Sequence, residues 1–95
     1  LQDRQFAATS EALLDELNVR PTDRVVELGC GPGGFSRRIL QRLGAGGVLV
    51  AVDRSDGLLR QAAAAVGDSE ARFDPVTADV AALGPWLDGA DVVLG

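Results

Sequence analysis

The stretch Val25-Val26-Glu27-Leu28-Gly29-Cys30-Gly31-Pro32-Gly33-Gly34-Phe35-Ser36 decides how the rest of the chain is read. Val25, Val26 and Leu28 form a short apolar run, the pattern of a strand buried on both faces. Gly29, Gly31, Gly33 and Gly34 follow as a turn, and Phe35 opens the apolar face of a helix. Glycines this dense cost backbone entropy. A chain accepts that where φ must be positive or where a ligand approaches the main chain. A tight strand-to-helix turn without a ligand is the plain alternative.

Working upstream, Ser10 can cap a first helix in which Leu13, Leu14 and Leu17 recur at helical spacing, while residues 1–8 carry no strong period. Asn18 and Pro21 close that helix, and Arg24 leads into the strand Val25–Leu28. Downstream, Phe35, Ile39, Leu40 and Leu43 share one helical face opposite Arg37, Arg38, Gln41 and Arg42, with Gly44 as the C-cap. Val48–Val52 is a second apolar strand ending at Asp53. Ser55 or Asp56 caps the next helix, whose buried face is Leu58, Leu59, Ala62, Ala63 and Val66 and whose end is Gly67. A weaker strand spans Arg72–Thr77, and Pro75 within it belongs on a sheet edge because proline donates no ladder bond. Asp79 follows, then a short crossover over residues 80–88 containing Gly84-Pro85, and Asp91 enters a last strand, Val92–Leu94.

Strands alternating with helices read as a parallel α/β sheet. Right-handed crossovers set the first three strands in order toward one edge. At 95 residues the chain is one domain at most, with a helical lead-in over 1–22 and a βαβαββ core over 23–95. Parallel strands bring Glu27, Asp53 and Asp79 to one rim of the sheet.

Composition narrows the chemistry. All nine basic residues are arginine, and the chain has no histidine. A phosphate-binding loop that needs lysine is excluded, and so is a histidine metal site. A net charge of −5 argues against a broad nucleic-acid surface. The cluster Arg37, Arg38 and Arg42 reads as a solvated helix face. Cys30, the only cysteine, implies a reducing, cytoplasmic compartment, and without a histidine base it reads as a small loop residue and not a nucleophile. No apolar run is long enough to span a membrane.

Glu27, Leu28, Gly29, Cys30, Gly31, Pro32 and Gly33 match, position by position, motif I of the class I S-adenosylmethionine-dependent methyltransferases: an acidic residue, an apolar one, then G-x-G-x-G. The chain resembles the N-terminal half of that family's domain over nearly its whole length. The resemblance implies a Rossmann-like parallel sheet with flanking helices, partial, in strand order 3-2-1-4, with the C-terminal strands absent and a ligand crevice at the carboxyl end of strand one. It implies S-adenosylmethionine as cofactor, held by Glu27, Gly29, Cys30, Gly31, Gly33, Asp53, Arg54, Leu58, Asp79 and Val80. In this reading Asp53 accepts the ribose hydroxyls, and Asp79 with the Val80 N–H meets the adenine. Glu27 fixes the loop or attracts the methionine ammonium, and Leu58 covers the adenine face. Trp86 either caps that pocket or packs plainly.

The rival ligand is a nicotinamide or flavin dinucleotide, since Gly29, Gly31 and Gly34 fit G-x-G-x-x-G and Asp53 follows near the offset of about 20 residues. Glu27 beside the loop argues against it, because a carboxylate repels a pyrophosphate. A non-catalytic nucleotide- or protein-binding module is the other class. The family's acceptor pocket usually lies in later segments and an N-terminal lid, so no catalytic residue is assigned. The expected acceptor is a small molecule, with RNA less favoured. A chain ending at Gly95 leaves the last strand as a bare edge, so completion by a C-terminal half, a partner or a second copy is expected, with no turnover by these residues alone.

Overall fold

The structure, a computed structural model, describes residues 2–31, 33–81 and 84–95, with side chains from residue 9 onward. Pro32 of the glycine turn and residues 82–83 of the expected crossover lie outside the described residues. The elements are α1 (Gln2–Leu17), β1 (Arg24–Leu28), α2 (Gly34–Arg42), β2 (Val48–Asp53), α3 (Asp56–Val66), β3 (Arg72–Thr77), a 3-10 turn at Pro85–Leu87, and β4 (Val92–Leu94). The strands pair in parallel in the order β3-β2-β1-β4, as expected. Glu27 lies level with Ala51 on one side and Leu94 on the other, and Asp53 lies level with Thr77.

Side-chain alternation along the strands divides the core into two layers. Val25, Leu49 and Leu94 face the helices and pack with Leu14 of α1 and with Ile39, Leu40 and Leu43. Val26, Val50 and Val52 face the other way and are covered by Val76, Ala78, Val80, Trp86 and Leu87. The crossover to β4 therefore runs on the face opposite α2 and α3, where the strand order reverses. Arg24 holds this crossover: its Nε donates to the Asp88 carbonyl at 3.0 Å and its Nη2 to the Trp86 carbonyl at 3.1 Å. Trp86 thus packs on the sheet.

Several local expectations change. Ser10 does not cap α1, which begins at Gln2; Ser10 is buried in mid-helix. Residues 2–8 form helix without an apolar period because glutamine, arginine and alanine favour it intrinsically. Asn18 does close α1, at φ 53. At the end of α2, Leu43 leaves in an extended conformation and the left-handed turn falls at Gly46, so Gly44 is not the cap. Ser55 caps α3, its Oγ accepting from the Leu58 N–H at 3.1 Å. Leu59 and Ala62 form the buried face of α3, whereas Ala63 is exposed because it sits a further 100° or so around the helix.

The two sheet edges differ. On β3, Pro75 and the Arg72–Asp74 ion pair at 2.6 Å blunt the edge. On β4, Val93 is 48% exposed.

Candidate functional site

A crevice of about 670 Å³ opens at the carboxyl end of β1. Its floor is Glu27–Cys30, and Gly34 and Phe35 lie at its α2 side. Thr9, Ser10, Leu13 and Leu17 of α1 form one wall, and Val93–Gly95 the opposite one. The strand ladder continues into the loop, where the Gly29 N–H donates to the Val52 carbonyl at 2.7 Å.

The loop glycines have different jobs. Gly29 at φ 73 and Gly31 at φ 57 are left-handed, and a Cβ on either would meet nothing within 4 Å. Their backbone faces open space, which fits a ligand lying close to the main chain. Gly33 at φ 101 is crowded: a Cβ there would stand 2.7 Å from the Ala62 Cα. The need for glycine at 33 comes from the contact of the α2 start with α3.

The three carboxylates differ in burial and in partners. Glu27 sits inside β1 and points to the helix-covered face, only 4% exposed. Its one described partner is the fully buried Ser36 of α2, whose Oγ donates to Oε1 at 2.5 Å. Burial pushes the Glu27 carboxyl up to about 7, and the Ser36 bond partly opposes this. Asp53 is half-buried and braces the loop: Oδ2 accepts from the Gly31 N–H at 3.2 Å and Oδ1 from the Ser55 N–H at 2.9 Å. Asp79 is exposed beyond β3 and accepts from the Ala81 N–H at 2.9 Å. Glu27 and Asp53 therefore flank the glycine loop, while Asp79 follows Ala78, whose N–H donates to the Asp53 carbonyl at 2.9 Å.

Among the other expected residues, Cys30 is buried against Ala51, Leu59 and Ala62. Burial first, then the charges of Glu27 and Asp53, push its thiol up to about 11, so it is an inert filler at neutral pH. Leu58 is half-buried at the start of α3, Arg54 is exposed, and Val80 turns its side chain onto the second face of the sheet.

Sequence reasoning missed Ser36. It lies three and four residues before Ile39 and Leu40, on the buried helix face, and that spacing was the available signal. It also missed the α1 wall and the partners of the arginines. Arg42 pairs with Glu11 at 2.7 Å and Asp15 at 2.6 Å, and Arg38 reaches Glu11 at 3.4 Å. Of the cluster, only Arg37 keeps to the solvated face first assigned to all three.

The methyltransferase domain family matches residues 25–95. A ribosomal RNA small subunit methyltransferase H of Methylobacillus flagellatus is 38% identical over 86% of this chain and 25% of its own length. A ribosomal RNA large subunit methyltransferase E of Sorangium cellulosum is 44% identical over 53% of this chain and 26% of its own length. The chain thus spans about a quarter of these curated relatives. Among solved structures, a protein-L-isoaspartate O-methyltransferase superposes with a TM-score of 0.73 at 20% identity, over 93% of this chain and 28% of that one. An S-adenosylmethionine-dependent methyltransferase from Mesorhizobium loti superposes with a TM-score of 0.65 at 29% identity, over 90% of this chain and 36% of that one.

Proposed function

Because the chain belongs to the methyltransferase domain family and has the class I, S-adenosylmethionine-dependent fold, we propose that it binds S-adenosylmethionine at the crevice and serves a methyl-transfer reaction. The observation that carries this reading is the pair of left-handed glycines, Gly29 and Gly31, facing open space between Glu27 and Asp53. When bound, the cofactor supplies an electrophilic methyl on a sulfonium. The chain's own residues bind and orient it. Asp53, already held by two N–H groups, presents its carboxylate to the ribose hydroxyls, where a charge-assisted bond is worth about 1.5–3 kcal/mol. Glu27 offers a buried carboxylate to the methionine ammonium, whose positive charge favours its ionised form. Asp79, Val80, Arg54 and Leu58 serve the adenine end, while Cys30 and Gly33 shape the loop. A buried carboxylate beside the loop remains unsuited to a dinucleotide pyrophosphate.

For the acceptor we favour RNA over a small molecule, on the names of the curated relatives. Arg38 and Arg42 are engaged with α1, so an RNA contact would use other residues. Among the described residues no helix is long and apolar enough to cross a membrane. A cytoplasmic setting stays part of the proposal, on the single buried thiol.

The test is an amide NMR titration of the protein with S-adenosylhomocysteine, with NADH in parallel. Shifts at Gly29, Gly31 and Asp53 with the former alone support the reading. A response to NADH alone overturns it, and indifference to both favours the binding module. Since these residues alone are expected to show no turnover, the acceptor class is tested by binding: retention of unmethylated ribosomal RNA by the S-adenosylhomocysteine-loaded protein supports it, and no retention refutes it.

A further inference from the structure

Helix α1 packs chiefly on α2, and among the described residues its hold there combines an apolar contact with a polar clasp. The contact centres on Leu14, fully buried against Ile39, Leu40 and Leu43. The clasp is Arg42, at the last turn of α2. Its Nε and Nη2 both donate to Glu11 Oε1, at 3.2 and 2.7 Å. Nη2 also donates to the Glu11 main-chain carbonyl at 3.1 Å, and Nη1 pairs with Asp15 Oδ1 at 2.6 Å. One planar guanidinium thus grips three acceptors on successive turns of α1, which lysine cannot do.

The placement of these acceptors matters. On a helix of about 3.6 residues per turn, Glu11 and Asp15 share one stripe, Ser10 and Leu17 share another, and Leu14 lies between them. The second stripe, with Thr9 and Leu13 beyond it, is the α1 wall of the crevice. Leu14 and the half-buried Leu17 form a narrow apolar contact on one side of the helix, which resists a roll less well than a grip on both sides. A roll would carry the wall into or away from the crevice, and a grip on the far stripe prevents it.

We propose that Arg42 is a positioning residue: its fork onto Glu11 and Asp15 sets the roll of α1 and so the wall that Thr9, Ser10, Leu13 and Leu17 present to the crevice. Arg42 lines no part of the crevice itself; it lies at the end of α2 opposite the glycine loop. The same helix therefore fixes the loop at one end and the wall at the other. The ligand-binding arm of the test rests on the cofactor reading above; the exchange arm does not.

The experiment is amide hydrogen exchange on the protein, without ligand, for the wild type, Arg42→Ala and Arg42→Lys, at low and high salt. Arg42→Ala should speed exchange over residues 9–17 roughly tenfold, the scale of a small ion-pair network, with β1 and β2 unchanged. Arg42→Lys should fall nearer the alanine variant than the wild type. High salt should move the wild type toward Arg42→Ala and move that variant much less, since only the longer Arg38–Glu11 pair at 3.4 Å is left to screen. Wild-type exchange in α1 of Arg42→Ala, or acceleration shared equally by the sheet, overturns the proposal. In the second arm, Arg42→Ala should weaken S-adenosylhomocysteine binding roughly three- to tenfold, while Val66→Ala, remote from the crevice, should not. If the wild type binds no S-adenosylhomocysteine, the cofactor reading fails and the exchange arm alone decides the clasp.

Discussion

Gly29, Gly31 and Gly33 share a left-handed φ but have different reasons for it. Alanine at 29 or 31 meets no neighbour within 4 Å, so each should lose about 1–2 kcal/mol of stability through backbone strain. Its methyl group would nevertheless occupy the space in front of the loop, and S-adenosylhomocysteine affinity should drop by tenfold or more. Alanine at 33 adds a 2.7 Å approach to the Ala62 Cα, and stability should fall by on the order of 3 kcal/mol or more. Urea denaturation beside ligand titration separates the two behaviours; equal stability losses at all three positions would refute the division. Glu27 gives a pH-dependent prediction. Its folded value of about 7 lies above the ordinary 4.5, so the folded state holds the proton more tightly. The stabilisation is complete below 4.5 and is lost as pH rises through about 7, by on the order of 3 kcal/mol. Urea midpoints of the wild type should fall over that range, and those of Glu27→Gln should stay nearly flat. An ammonium-bearing ligand favours the carboxylate, so its affinity should rise with pH across the same window, with proton release visible by calorimetry. The role of glycine in the turn was legible from sequence because strand, turn and helix are contiguous. The state of Glu27 was not, because its burial depends on Ser36 and on the α1 wall.

At the scale of elements, neighbouring leucines of α1 part company. Leu14 is fully buried in the core cluster, while Leu13 is 41% exposed on the crevice wall. Leu14→Ala should cost about 3 kcal/mol, a transfer term plus a cavity. Leu13→Ala should stay within about 0.5 kcal/mol, as surface positions do. Thermal or urea melts of the two variants check this, and a large loss at Leu13 would mean that the wall is already packed against something. The period of Leu13, Leu14 and Leu17 revealed a helix but could not rank its leucines. Ranking needs the direction in which α2 lies. The extent of α1 was likewise hidden, because residues 2–8 owe their helix to propensity and carry no apolar stripe.

At the scale of the molecule, the sheet of the described residues has one blunted edge, β3, and one edge without a further strand, β4. Pro75 and the Arg72–Asp74 pair guard β3, whereas β4 exposes Val93 next to an open apolar crevice. An unpaired edge with an exposed β-branched residue promotes association. Val93→Lys should reduce concentration-dependent light scattering while changing the stability read from urea denaturation by no more than about 0.5 kcal/mol. Unchanged scattering would place the sticky surface elsewhere. The strand order followed from alternation, handed crossovers and the family's placement of strand four. The proline on β3 was the only local mark of an edge. That Arg38 and Arg42 of α2 are engaged, although they looked like part of a free basic face, emerged only when α1 was laid against them.

The sequence by itself determined the α/β class, the strand and helix order, the glycine turn at the end of β1 and the closeness of Asp53 to it. All but the last follow from contiguous residues, through apolar periods, caps and a loop only glycine tolerates, and the last follows from the parallel pairing that the βαβ order implies. Tertiary structure alone decided that Glu27 is buried with its carboxyl pushed up to about 7, that Gly33 serves packing, and that Arg42 clasps α1. Each depends on groups distant in sequence, because burial, close approach and ion pairing are set by which surfaces meet, and the local pattern of a helix or strand does not encode its neighbour.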